Sequence, residues 1–103
     1  MQVSKAFQAF AEQAPEVHSA WMETVQKMDA ASRLDKKTKE LAYIAVMAAV
    51  RLESGLPFHV KMAKSHGATR EEIISSILVG LPAVGNGVIQ SLPIALSAFD
   101  EEQ

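Results

Sequence analysis

At 103 residues with 49% apolar side chains, the chain is long enough for one domain with its own core, and small enough that copies of itself can complete the burial. Ten basic against twelve acidic residues leave a net charge of -2 with no basic stripe or aromatic platform, so the electrostatic footprint of a nucleic-acid binder is missing. The absence of cysteine excludes disulfides, thiolate nucleophiles and thiolate-held metals.

The N-terminus "MQVSKAFQAF" lacks the apolar run of a signal peptide, and the longest uncharged apolar segment, Leu41 to Val50, is about half a membrane span. A cytoplasmic protein without nucleic-acid or membrane partners is expected. In "VSKAFQAFAEQA" the positions Val3, Phe7, Phe10 and Ala14 recur at spacings of three and four, and Pro15 ends the run. Pro15 also opens a second helix, "PEVHSAWMETVQKM", with Val17, Trp21, Val25 and Met28 as its apolar stripe and His18 as a boundary or surface residue beside it.

The third helix reads from Asp35, a good N-cap, to Gly55, a good C-cap. Its middle, "LAYIAVMAAV", is apolar all round and needs cover on every side, from other helices or a second subunit. Glu40 stands at the edge of this run on the face of Ile44, Met47 and Arg51, either solvated or drawn into a site. "PFHVKMAKSHG" follows, with Pro57 in its first turn and Gly67 as terminator. His59, Ala63 and His66 share a face, but two histidines seven apart are separated by ~10.5 Å at helical rise. They do not share one metal, so neither metal nor cofactor is expected.

"ATREEIISSILVGLP" opens with a capping box, Thr69 with Glu72, before the stripe Ile73, Ile77 and Leu81. "GLPAVGNGVIQSLP" carries three glycines and two prolines and reads as a loop or kinked helix. A last apolar helix from about Val88 to Asp100 precedes a solvated "DEEQ" tail. The sum is an all-α single domain over residues 1–103 with about six helices.

From Leu34 to Phe99 the chain resembles the carboxymuconolactone decarboxylase family, which includes the alkyl hydroperoxidase D-like proteins, and the upstream "FAEQAPEVHSAWMETVQKM" is similar to the family's usual N-terminal part, so the resemblance covers about the whole chain. The likeness rests on "LDKKTKELAYIAVMAAV", the histidine helix "FHVKMAKSHGATREEI" and the closing "ALSAF", with the spacing of Glu40 and His59 as its most specific part. It implies the alkyl hydroperoxidase D-like helical fold and assembly into homotrimers or hexamers. Hydroperoxidase D-like members carry Cys-x-x-Cys-x-x-x-His, and the two cysteine positions here are Leu52 and Gly55. With the redox agent gone, peroxidase chemistry by that route is excluded.

The cysteine-free decarboxylase branch fits better. It implies a small lactone or carboxylic acid as ligand and a general acid that delivers a proton to carbon, which histidine, with an unperturbed pKa of about 6.5, can do near neutrality. On this resemblance His59 and Glu40 are the catalytic residues, Arg51 the cation for a substrate carboxylate, and Glu53 a further substrate-binding candidate. A simple hairpin turning near Glu53 would face His59 with Met47 and leave Glu40 about 10 Å further along. Only a steep crossing, an earlier turn, a water or another chain would then join them.

Two other readings compete. In one, His59 is a packed helix residue and Glu40 a first-turn acid favoured by the helix dipole. In the other, the chain is a small-ligand-binding module with Met22, Met28, Met47 and Met62 lining an adaptable pocket.

Overall fold

All four prolines fall in the first turn of a helix, where a missing amide removes no hydrogen bond. They punctuate the computed structural model, which describes residues 3–101. The helices are α1 (Lys5–Gln13), α2 (Pro15–Ala31), α3 (Lys36–Ala49), α4 (Leu56–Ser65), α5 (Arg70–Leu78), the single turn α6 (Leu81–Val84) and α7 (Leu92–Asp100). Two 3-10 segments, Glu53–Gly55 and Asn86–Ser91, complete the order, and no strand occurs among the described residues. The chain is all-α as expected. The extra helix over the expected six is α6, and the segment from Val88 to Ser91 is 3-10 rather than the start of the last α-helix.

Side chains close the helix starts. Ser4 accepts from the Phe7 amide at 3.1 Å and Asp35 from the Thr38 amide at 2.8 Å. The capping box at α5 is complete: the Glu72 amide donates to Thr69 Oγ1 at 3.1 Å, and the Thr69 amide donates to Glu72 Oε1 at 2.9 Å. Lys37 adds a salt bridge to Glu72 at 3.1 Å, tying the start of α3 to the start of α5.

These contacts set a pH dependence. The Thr69 amide, and after it Lys37, hold the Glu72 carboxyl below the usual carboxylate range, while the Thr38 amide and hydroxyl do the same for Asp35. A carboxyl held low in the fold contributes stability that is full above its unfolded pKa, near 4, and is lost as pH falls through the lower folded value. The melting temperature of the wild type is therefore expected to fall more steeply below about pH 4 than that of Glu72→Gln, whose side chain does not titrate. Parallel acid limbs would contradict this.

The core lies between α3, α4, α5 and α7. Ile44, Met47 and Ala48 of α3 meet Leu56, Val60 and Ala63 of α4, Ile73 and Ile77 of α5, and Ala95 and Ala98 of α7, with Val88 beneath. The face of α3 that carries Tyr43, Val46 and Val50 stays open, so the cover expected on every side is present on one side of this chain. The stripe on α2 is likewise exposed, Trp21 by 50% and Met28 by 66%, because α2 packs on α1 rather than on the core. His18 packs edge to face against both the Phe7 and Phe10 rings at 5.3 and 5.4 Å, in a three-ring cluster that fastens the two helices together.

The end of α3 departs from expectation. It stops at Ala49, not near Gly55, and the Leu52 amide bonds back to the Met47 carbonyl while the Arg51 amide bonds to that of Ala48. This is a Schellman closure with Arg51 in the left-handed position at φ 62°. The end of α4 is closed in the same way, with Gly67 in that position at φ 94°. Glycine occupies such backbone without strain; arginine does not. That is why the first turn was invisible in the sequence and the second was plain.

Of the "DEEQ" tail, Asp100 pairs with Arg70 at 2.9 Å and Glu101 with Lys61 at 2.8 Å, while residues 102–103 lie outside the described residues. No helix among the described residues is long and apolar enough to cross a membrane.

Candidate functional site

Packing of α3 on the core turns Glu40 inward, because it shares a face with Ile44 and Met47. Glu40 is 9% exposed. In α4 the buried residues Leu56, Val60 and Ala63 anchor the helix and leave His59 on the flank facing α3. The early Schellman turn then decides the register. The midpoint between residues 40 and 59 falls at Ala49 and Val50, where α3 ends, so the hairpin brings the two opposite each other. His59 Nδ1–H donates to Glu40 Oε1 at 2.8 Å. The separation of about 10 Å expected from a turn near Glu53 is thus corrected: the pair closes within one chain.

A carboxylate only accepts, so this bond places the imidazole proton on Nδ1 and leaves Nε2 with its lone pair in the neutral ring. Among the described residues Nε2 has no hydrogen-bond partner. Tyr43 lies against the ring at 4.3 Å between centroids and Phe58 meets it edge-on at 5.2 Å, which fixes its plane. A histidine oriented this way by a carboxylate can accept or deliver a proton at Nε2.

His59 opens onto a cavity of about 470 Å³. Its walls come from α1 (Phe7, Phe10), α2 (Met22, Val25), α3 (Tyr43, Met47) and the turn and start of α4 (Leu52, Gly55, Phe58). Glu40 stands behind the histidine rather than in the wall. Both positions at which hydroperoxidase D-like proteins carry sulfur, Leu52 and Gly55, line the cavity. A Cβ on Gly55 would come within 2.5 Å of Met47 Cε, so the methionine methyl fills the space a cysteine side chain would need. The chain has packed hydrocarbon where the redox sulfurs would be.

Arg51 and Glu53 are placed elsewhere. Arg51 Nε donates to Glu53 Oε2 at 2.5 Å and Arg51 Nη2 to Gln90 Oε1 at 2.8 Å, and the arginine lies across Gly87 of the 3-10 segment. Neither residue lines the cavity. Of the four methionines named from sequence, Met22 and Met47 line it, Met28 is exposed, and Met62 is not in the wall. Sequence reading missed Tyr43, Phe7 and Phe10. The Val3, Phe7, Phe10 stripe was legible, but nothing in its spacing said that it would face a histidine three helices on. Among the described residues no group of three or more His, Asp or Glu is placed to hold a metal ion.

The sequence model of the carboxymuconolactone decarboxylase family matches residues 15–97, which leaves α1 outside the matched span. The crystal structure of an apo carboxymuconolactone decarboxylase family protein from Legionella pneumophila is similar, with a TM-score of 0.77 and 27% identity over 92% of this chain and 85% of that one. No curated protein matches the chain. With most of its length inside the family match and the fold shared, the chain belongs to the carboxymuconolactone decarboxylase family.

Proposed function

We propose that His59 and Glu40 are a general acid/base pair that moves a proton at carbon in a small lactone or carboxylic acid. The observation that carries this reading is the 2.8 Å bond from Nδ1 to a carboxylate at the wall of a 470 Å³ cavity, with Nε2 unpartnered among the described residues. Nε2 acts on the carbon next to the carbonyl. As a base it takes the proton while the electron pair of the breaking C–H bond moves into the carbonyl. As an acid, in the imidazolium form charged at Nε2 by a proton from water, it delivers that proton to the carbon after the C–C bond to carbon dioxide has broken and its electron pair has moved into the carbonyl. Glu40 keeps the ring in the productive tautomer and balances the imidazolium that forms. Arg51 has no part in this step, since Glu53 and Gln90 occupy its guanidinium away from the cavity.

The test is turnover of a panel of lactones, carboxymuconolactone included, by the wild type and by His59→Gln. The variant is expected to lose about 10²–10⁴-fold in rate, the usual contribution of a general acid or base, with its melting temperature little changed. Failure of the wild type on every lactone would remove the enzyme reading. A ligand-dependent rise in melting temperature without product would put a binding module in its place.

We also propose that the chain self-associates, as homotrimer or hexamer, through the open face of α3. Val46 and Val50 are 57% and 66% exposed there, and Trp21 of α2 adds further apolar surface. Light scattering on eluted protein is expected to give three or six chains for the wild type and fewer for Val46→Asp. A monomeric wild type would contradict this.

A further inference from the structure

Among the described residues, the wall of the His59 cavity contains no lysine or arginine. Of its fourteen residues only Ser4, Ser54, Tyr43 and His59 carry a polar side-chain atom, and the Glu40 carboxylate bonds the histidine from outside the wall. A carboxylate brought into such a space gives up water, gains no cation and approaches a negative charge. Desolvation and like-charge repulsion both oppose it. Arg51, next in sequence to the lining residue Leu52, is held by Glu53 and Gln90. Flat apolar groups meet the opposite situation: Phe7, Phe10, Tyr43 and Phe58 offer ring faces and edges, and Met22 and Met47 supply adaptable fill.

Five of the lining residues, Val3, Ser4, Ala6, Phe7 and Phe10, come from α1 and its cap. All five precede residues 15–97, the span that the family's sequence model matches. The aromatic wall contributed by α1 thus lies outside the span that the family's sequence model matches.

We infer that the His59 cavity takes an uncharged, mainly apolar lactone of about one or two fused or linked rings, with α1 selecting against carboxylated ligands. This rests on the acid/base reading of His59 and Glu40 and narrows it. With no carboxylate to lose, the reaction is relocation of a proton: Nε2 removes a hydrogen from the ring carbon beside the carbonyl, the pair forms a dienolate, and the same nitrogen returns the proton to the far end of the conjugated system. One C–H bond breaks, one forms, the double bond moves into conjugation, and no oxidant or reductant is used.

A matched pair of probes tests it: 5-phenyl-2(3H)-furanone, neutral, and its para-carboxyphenyl analogue, ionised at neutral pH. Binding is followed through the His59 ring nitrogens in protein labelled with ¹⁵N-histidine, and proton abstraction through deuterium uptake at the ring methylene in D₂O. The neutral lactone is expected to bind at least ten-fold more tightly than the carboxylate. Phe10→Arg, which sets a cation in the wall, is expected to shrink that ratio, and Phe10→Ala to weaken the neutral probe several-fold. Tighter or equal binding of the carboxylate, or no response of His59 to either probe, would overturn the inference. Deuterium uptake with the carboxylate as preferred ligand would overturn the substrate class and leave the acid/base reading standing. Tight binding of the neutral lactone without His59-dependent uptake would do the reverse.

Discussion

Ile44→Ala is expected to lower the free energy of unfolding by about 2–5 kcal/mol, the range for a large buried aliphatic side chain whose cavity does not collapse. Ile44 is fully buried and lies one turn beyond Glu40 on the core face of α3, where α4, α5 and the 3-10 segment Asn86–Ser91 all meet that helix. For a domain of this size the loss is a large share of the roughly 5–15 kcal/mol that holds a native fold together. The effect should extend to the site, because the packing that seats Ile44 is what turns Glu40 inward. Ser75→Ala, at an exposed position of α5, is the control and is expected to change stability by less than about 0.5 kcal/mol. Urea denaturation of the two variants at one protein concentration checks the contrast, and similar losses would contradict the placement of the core.

The second large effect concerns the pair itself. His59→Leu leaves the Glu40 carboxylate, whose side chain is 11% exposed, without its donor, and is expected to destabilise by about 1–3 kcal/mol. Glu40→Leu leaves Nδ1–H unpaired and is expected to act in the same direction. The double variant removes both groups together, so its loss should fall short of the sum of the single losses by about 0.5–3 kcal/mol, the range for residues in direct contact. Additive losses would mean that the 2.8 Å bond has no energetic weight. The cycle also separates a positioned histidine from a merely packed one, because a packed ring would show no coupling to a carboxylate.

Much of the fold was legible because local chemistry announced it. Asp35 before "KKTKEL", Thr69 with Glu72, and Pro15 and Pro57 each fix a helix start for a stated reason, and the structure places caps or first turns at all of them, whereas Pro82 and Pro93, read as breakers of a loop or kinked helix, also open helices. The site was legible in its parts but not in its geometry. His59 and Glu40 were named together on a family resemblance, while the simple hairpin set them about 10 Å apart. The difference is one residue in an unusual conformation. Arg51 at φ 62° ends α3 several residues before Gly55, and no propensity scale nominates arginine for that position. Arg51 itself was assigned to a substrate carboxylate on the family resemblance, while its side chain is bonded to Glu53 and Gln90 beside the turn. The exposed stripe on α2 illustrates a different limit. Val17, Trp21, Val25 and Met28 have the spacing of a core-facing helix, but periodicity says only that a face is apolar, not which surface will cover it.

All of the functional reading depends on which nitrogen of His59 carries the proton. With Nδ1–H committed to Glu40, the neutral ring presents a bare Nε2 to the cavity. The direct measurement is the long-range ¹H–¹⁵N correlation spectrum of protein labelled with ¹⁵N-histidine, recorded at a pH where His59 is neutral and repeated for Glu40→Leu. The expected result is the Nδ1–H tautomer in the wild type, with ligand binding shifting Nε2 more than Nδ1, and a mixture of tautomers in the variant. A wild-type ring protonated at Nε2, or one unchanged by removal of Glu40, would contradict the account.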